Sequence, residues 1–165
     1  MSTLVDHQIR YHAKTRGLVE PFEPEQLNPA SYDVTLGSKL QVERYGGFYE
    51  VDISDRTYYL QPGDFVLAHT QELVRIAPGL EAVFQLKSSR GREGYQHMLA
   101  GYIDPGFTGQ VTLELKNVTN YQRLPLYKGL RIGQLRFATL ESIPARPYFV
   151  TGRYNHDMGA QKSKG

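Results

Sequence analysis

The chain contains no cysteine among its 165 residues. Disulfides, thiol nucleophiles, iron–sulfur clusters and every zinc site built on cysteine are therefore excluded. The sequence also has no run of apolar residues long enough for a membrane-spanning helix, and its N-terminus lacks the three regions of a secretory signal peptide. We therefore expect a cytoplasmic protein that makes no membrane contact.

Neither sign of charge is in large excess. The 19 Lys and Arg residues against 17 Asp and Glu residues leave a formal net charge of +2. A dedicated nucleic-acid binder usually carries a basic surface, so this balance argues against nucleic acid as a partner, although it leaves room for a local basic site. The length predicts one domain over 1–165, large enough to bury a core without crosslinks.

The local patterns are mostly those of β-structure. Sixteen Gly and nine Pro residues separate short runs rich in Val, Ile, Leu, Tyr and Phe. Alternation of apolar and polar residues predicts half-buried strands over 39–43 and 112–116. One segment favours a helix, from Asp6 as N-cap to Arg16, with Gly17 ending it.

Gly and Pro mark turns between the predicted strands, and two of these turns have similar surroundings. Both similar segments, LQPGDFVLA (60–68) and LYKGLRIGQ (126–134), have apolar residues on each side of a turn signal. We predict two similar hairpins from this echo, because it occurs only twice and is no solenoid repeat. The last twelve residues are polar and small, a composition typical of a disordered end.

Two common catalytic motifs are missing. The five histidines (His7, His12, His69, His97 and His156) form no HExxH pattern and no close sequence pair with an acid, so each is expected to be a surface or packing residue. A strand-like run precedes Lys87-Ser88 where a phosphate-binding P-loop would need glycines.

The first dense polar cluster is KSSRGREG at 87–94. It brings three cationic side chains and two hydroxyls together, which offers several charge-assisted donors to phosphate oxygens. A solvated hairpin loop and a contact with a nucleic-acid backbone remain alternatives for this segment.

The second cluster is AGYIDPGFTGQVTLELKN at 100–117. Asp104 precedes a Pro-Gly turn, and Glu114 lies inside a predicted strand between Leu113 and Leu115. Alternation places Glu114 on the face opposite these leucines. A carboxylate in a pocket there is costly unless it is paired or functional, whereas an exposed strand glutamate remains the alternative.

These two clusters, together with SYDVTLG at 31–37, resemble the dCTP deaminase branch of the dUTPase-like superfamily. KSS-x-x-R, IDPGF-x-G-x-x-T-L-E, RIGQL at 131–135 and the later RPY and RY segments follow in the family's order over nearly the whole chain. The resemblance implies a mainly β fold, a distorted jelly roll (a dUTPase-like β-barrel) with a short N-terminal helix. It also implies a homotrimer that shares its sites between subunits. The expected parts are an N-terminal helix and arm (1–30), a β core (31–150) and a tail that closes the site (151–165).

Glu114 distinguishes the branches of this superfamily. Ordinary dUTPases share the Ile-Asp turn, Gly109 and Asn117 of this pattern but usually carry an apolar residue at position 114. Hydrolytic removal of ammonia from dCTP needs a base for water and an acid for the departing amine, and one sequestered carboxylate can serve as both. A chain without cysteine cannot be a His/Cys zinc deaminase, so we expect no zinc.

The resemblance also implies residue roles. Glu114 would be the general base and acid, Ser88 and the Ala100 carbonyl would hold the attacking water, and Arg92 would orient the pocket. Asp104 would bind the 3′-hydroxyl and Phe107 would pack against C2′ of the sugar. The implied substrate contacts further comprise Lys87, Ser88, Ser89, Arg90, Gly91, Arg92, Thr112, Leu113, Gln134, Tyr148, Arg153, Asp157 and Gln161. Mg²⁺ is expected to bind through the triphosphate rather than through a protein cluster.

Two departures from the family pattern matter. Asp157 stands where a glutamine usually contacts phosphate, which is unexpected beside a triphosphate, and Arg153 replaces a usual lysine.

The Gly101-Tyr102 pair favours the bifunctional branch, in which dUTP is hydrolysed onward to dUMP and diphosphate and Asp104 helps to activate the second water. The alternatives are release of dUTP, a dUTP pyrophosphatase only, and a non-catalytic nucleotide- or nucleic-acid-binding trimer.

Overall fold

A computed structural model describes residues 2–165 of the chain. Strands dominate these residues, which confirms the mainly β prediction. In chain order the elements are β1 (Ser2–Thr3), α1 (Asp6–Arg16), β2 (Val19–Glu20), β3 (Leu27–Asn28), β4 (Ser31–Thr35), β5 (Lys39–Arg44), β6 (Gly47–Asp52), β7 (Tyr58–Leu60), β8 (Phe65–Arg75), β9 (Leu80–Leu86), α2 (Ser88–Glu93), β10 (Tyr95–His97), β11 (Tyr102–Ile103), β12 (Thr108–Asn117), β13 (Leu124–Leu126), β14 (Arg131–Thr139) and α3 (Tyr148–Thr151). A single 3-10 turn, Pro24–Gln26, precedes β3.

The strands form two six-stranded antiparallel sheets and one two-stranded ribbon. The first sheet has the order β11-β9-β14-β4-β3, with β1 also paired to β14. The second has the order β10-β12-β8-β5-β6, with β2 also paired to β8. Buried side chains from both sheets and from α1 form one hydrophobic core. This arrangement places β12 inside the second sheet, between β10 and β8.

Alternation along β12 and β5 matches the sequence prediction. Leu113 and Leu115 of β12 are fully buried, while Thr112 and Glu114 between them are only partly buried. Leu40 and Val42 of β5 are buried in the same alternating way. Because side chains alternate between the two faces of a strand, β12 presents Thr112 and Glu114 on its non-core face.

The predicted helix is confirmed at both ends, but its N-cap is not Asp6. Asp6 is already helical and Val5 is the N-cap, with the Gln8 Oε1 atom accepting a hydrogen bond from Val5 N at 3.0 Å. The helix ends at Gly17, whose left-handed φ of 63° suits glycine. No helix within residues 2–165 is both long and apolar enough to cross a membrane.

The prediction of two similar hairpins is wrong. β7 pairs with β13 instead of with β8, with Leu60 opposite Leu124. The strands after the two turns join different sheets, β8 in the second and β14 in the first. The two similar segments are therefore arches between sheets, and the strands that precede their turns, β7 and β13, pair with each other. The turn at Gly46 does close a hairpin, between β5 and β6.

Candidate active site

A cleft of about 400 Å³ lies where the non-core face of β12 meets β11, the 104–107 turn and the C-terminal segment. Its wall is more apolar than polar, as is usual for small-molecule sites. The sequence-predicted residues that line it are Ala100, Asp104, Phe107, Thr112, Glu114, Tyr148, Asp157 and Gln161.

The remaining predicted residues do not line this cleft within one chain. They are Lys87, Ser88, Ser89, Arg90, Gly91, Arg92, Leu113, Gln134 and Arg153. Leu113 points into the core, and Gln134 accepts a hydrogen bond from Ser31 Oγ at 2.8 Å. Arg90 pairs with Glu93 at 2.6 Å, and Arg92 lies beside the 119–122 turn.

The KSSRGREG segment is mostly helical, which no pattern in the sequence predicts. Helix α2 begins at Ser88 and ends at Glu93, and Gly94 follows with a φ of 103°. Glycine inside a segment argues against a helix, and α2 contains Gly91. Because α2 buries none of its residues, it also lacks the apolar face by which a helix is recognised in a sequence. The hairpin-loop alternative for this segment is therefore wrong.

Glu114 lies against a histidine that the sequence did not single out. His97 Nε2 is 3.1 Å from Glu114 Oε2, and the two side chains are 7% and 25% exposed. Both atoms are buried, and within residues 2–165 neither has a hydrogen bond of good geometry. The two atoms are therefore within hydrogen-bonding distance but are poorly aligned, as is frequent for catalytic hydrogen bonds in structures without substrate.

The position of His97 corrects the expectation that every histidine is a surface or packing residue. Its ring does pack, with its centroid 4.6 Å from that of Phe84, but its outer nitrogen faces the Glu114 carboxylate. β10 pairs with β12 so that His97 is opposite Leu115, next to Glu114. Only this long-range pairing brings the two residues together.

Asp104 and Phe107 form the end of the cleft near α3. Burial raises the pKa of the Asp104 carboxyl, because desolvation disfavours its charged form. The Phe107 and Tyr148 rings lie 5.8 Å apart at 59°, and Tyr148 N donates to the Pro105 carbonyl at 2.8 Å. The Asp104 carboxyl and the Phe107 ring together suit a ligand that presents one hydroxyl group and a carbon without a polar substituent.

Lys87 has a partner inside the protein. Its Nζ lies 2.5 Å from Asp33 Oδ2, and the Asp33 side chain is only 3% exposed. Asn28 Nδ2 donates to the other carboxylate oxygen at 2.9 Å. Buried charges are tolerated when they are paired and hydrogen-bonded, so Lys87 and Asp33 form a structural pair at the end of β9.

The C-terminal segment runs along β12 and forms one wall of the cleft. His156 N donates to Thr108 O at 2.6 Å, and Gln110 N donates to Asp157 O at 3.0 Å. Gln161 N donates to Thr112 Oγ1 at 3.1 Å. These bonds hold the tail along β12, and its residues Asp157 and Gln161 line the cleft.

No group of three His, Asp or Glu side chains within residues 2–165 is arranged to hold a metal ion. The carboxylates along the cleft, Asp104, Glu114 and Asp157, do not converge into such a group. What the cleft offers is a carboxylate for proton transfer and an apolar wall, together with a second carboxylate beside an aromatic ring.

Comparison with known proteins identifies the family. Residues 3–140 match the family described as dCTP deaminase-like. A protein of Acidothermus cellulolyticus named "dCTP deaminase, dUMP-forming" is 37% identical over 180 residues, covering 98% of this chain and 94% of the relative.

Solved structures give the same result at the level of the fold. The 2′-deoxycytidine 5′-triphosphate deaminase of Agrobacterium tumefaciens superimposes with a TM-score of 0.73 at 26% identity over 84% of this chain. This chain spans 48% of that protein's length. A mutant dUTPase from phage phi11 of S. aureus, 16% identical with a TM-score of 0.51 over 71% of this chain, shares the fold alone. By its sequence match and its architecture, this chain belongs to the dCTP deaminase-like family.

Proposed function

We propose that this protein deaminates dCTP and hydrolyses the resulting dUTP in the same site, releasing dUMP and diphosphate. The observation that carries the proposal is Glu114, a partly buried carboxylate on the cleft-facing side of a central strand. The dUMP-forming relative, which aligns over nearly the whole chain, supports the second step.

Glu114 can manage all proton transfers of the deamination. It removes a proton from the water that attacks C4 and delivers that proton to N3. It then takes the proton of the new C4 hydroxyl and gives it to the departing amine, so that water and dCTP become dUTP and ammonia. The His97 contact at Oε2 would leave the other carboxylate oxygen for the substrate.

Asp104 and Phe107 would recognise the sugar. The Asp104 carboxyl can accept a hydrogen bond from the 3′-hydroxyl, and the Phe107 ring beside it leaves no polar partner for a 2′-hydroxyl. Asp104 would also help to activate the water that attacks the α-phosphate. Magnesium would be bound mainly by the triphosphate oxygens and by water, because the described residues form no chelating cluster. It would partly neutralise the charge of the triphosphate.

The site is best completed by a neighbouring subunit. The residues of α2 that resemble the family's phosphate and water-binding segment do not line the cleft of their own chain. Met98, Leu99 and Tyr102, just before the cleft-lining turn, are exposed apolar or aromatic side chains. We propose a jelly-roll homotrimer in which α2 of one subunit faces the cleft of the next, with 31–150 as β core and 151–165 as closing tail.

Product identification tests the activity. The protein is incubated with dCTP and Mg²⁺, and nucleotides and ammonia are quantified over time. We expect dUMP, diphosphate and ammonia in equal amounts; dUTP with ammonia would restrict the activity to deamination. Absence of any uracil product from dCTP would refute the proposal, and dUMP formed only from added dUTP would identify a pyrophosphatase.

A further inference from the structure

The C-terminal wall of the cleft contains an acid where the substrate would place its phosphates. Asp157 lines the cleft, and its side chain is 21% exposed. Its backbone is fixed, because its carbonyl oxygen accepts from Gln110 N at 3.0 Å and a Cβ at Gly109 would come within 2.9 Å of the same oxygen. The Asp157 main chain therefore cannot move away without breaking the contact between the tail and β12.

Lys164 supplies the charge that this acid needs. Its Nζ forms an ion pair with Asp157 Oδ2 and donates to the Arg153 carbonyl at 2.9 Å. The same ammonium lies 4.9 Å from the centre of the Tyr154 ring, and Lys164 N donates to the Tyr154 hydroxyl at 2.9 Å. All these partners belong to the turn at 153–157, so Lys164 is fixed to that turn by both its main chain and its side chain.

We propose that Lys164 is a positioning residue for substrate, which acts by neutralising Asp157 rather than by touching the nucleotide. Lys164 itself is absent from the lining of the cleft, whereas Asp157 is part of it. An unpaired carboxylate there would repel a triphosphate, and the paired one does not. The proposal rests on the proposed function, since it concerns affinity for dCTP at that site.

Charge-neutral variants separate this role from a direct phosphate contact. We expect Lys164→Gln to raise the KM for dCTP about tenfold with kcat little changed, because the exposed negative charge weakens binding without touching Glu114. Asp157→Asn alone should lower the KM, because it leaves the Lys164 ammonium without its counter-charge at this wall of the cleft. The double variant should return the KM to within about threefold of wild type, because no net charge is left to repel the phosphates. The penalty of Lys164→Gln should also shrink as salt is added.

Lys14 provides the matched control. It is an exposed residue of α1, outside the cleft, so Lys14→Gln removes the same charge without any effect on the KM. If the double variant keeps the raised KM of Lys164→Gln, Lys164 contacts phosphate or holds the tail closed, and the proposal is wrong. An unchanged KM in Lys164→Gln also overturns it.

The same series distinguishes failure of the inference from failure of the proposed function. Dissociation constants for dCTP are measured by calorimetry on wild type and on the three tail variants. Binding without turnover in wild type refutes the activity, yet the pattern of dissociation constants still decides the role of Lys164. If wild type does not bind dCTP at all, both proposals fall.

Discussion

Replacing Lys87 with Met removes the cation closest to a buried carboxylate and should destabilise the fold. Asp33 is 3% exposed and would keep only the Asn28 amide, 2.9 Å away, as a side-chain donor. Methionine retains much of the apolar stem of lysine, so the loss is mainly one of charge. We therefore expect the effect to appear in the free energy of unfolding.

The size of the effect follows from the burial of the pair. Removing one partner of a buried ion pair costs about 3–5 kcal/mol. Because Lys87 itself is 29% exposed and water can reach its place, the lower end applies, about 3 kcal/mol. For a domain of this size that corresponds to a fall in Tm of roughly 6–12 °C.

Urea unfolding at neutral pH and at a single protein concentration measures the effect. Lys87→Met should lower the midpoint at an unchanged m-value. The control is Asp33→Asn combined with Lys87→Met, which removes both charges and should recover at least about 1 kcal/mol through coupling. A Lys87→Met protein with wild-type stability but a raised KM for dCTP would refute this reasoning, since Lys87 would then serve phosphate.

Three further outcomes test the site. Glu114→Gln should reduce the kcat of deamination by about 10²–10⁴ while calorimetry shows dCTP still binding; retained turnover would contradict its role. His97→Phe keeps a ring against Phe84 but removes the nitrogen facing Glu114, so kcat should fall more than Tm does, and an unchanged kcat would exclude a contribution. Burial lowers the pKa of His69 below its ordinary 6.5, so folding disfavours the protonated form of this ring. The unfolded chain therefore binds more protons below that pH, and stability should fall as the pH drops through 6.5 toward the folded pKa. His69→Gln should flatten this slope in unfolding measured from pH 7.5 to 5.5, and an equally steep slope would assign it to other groups.

Local patterns predicted the parts of the fold that local forces determine. Alternation identified β5 and the core of β12, because one face of each strand packs on apolar residues. The same alternation placed Glu114 opposite Leu113 and Leu115, which is why its position facing the cleft could be predicted. Gly17 ended α1 as expected, since a left-handed residue is needed there.

What the sequence could not reveal was which distant group meets each side chain. α2 has no apolar stripe, so nothing distinguished it from a polar loop. The echo around 62–64 and 128–129 showed that two turns resemble each other but not that the strands before them pair together. Strand pairing over such separations depends on the whole sheet, whereas periodicity reports only one strand at a time.

Three acidic side chains each lie against a basic or imidazole group. Asp33 meets Lys87, Glu114 meets His97, and Asp157 meets Lys164. The three pairs differ in burial, and burial should decide what each pair contributes. The Asp33 pair, whose carboxylate is buried, should contribute mainly to folding stability, and the more exposed Asp157 pair should contribute mainly to affinity for a charged ligand. The Glu114 pair is sheltered on its histidine side and open toward the cleft, which is where a carboxylate that must gain and lose protons has to be.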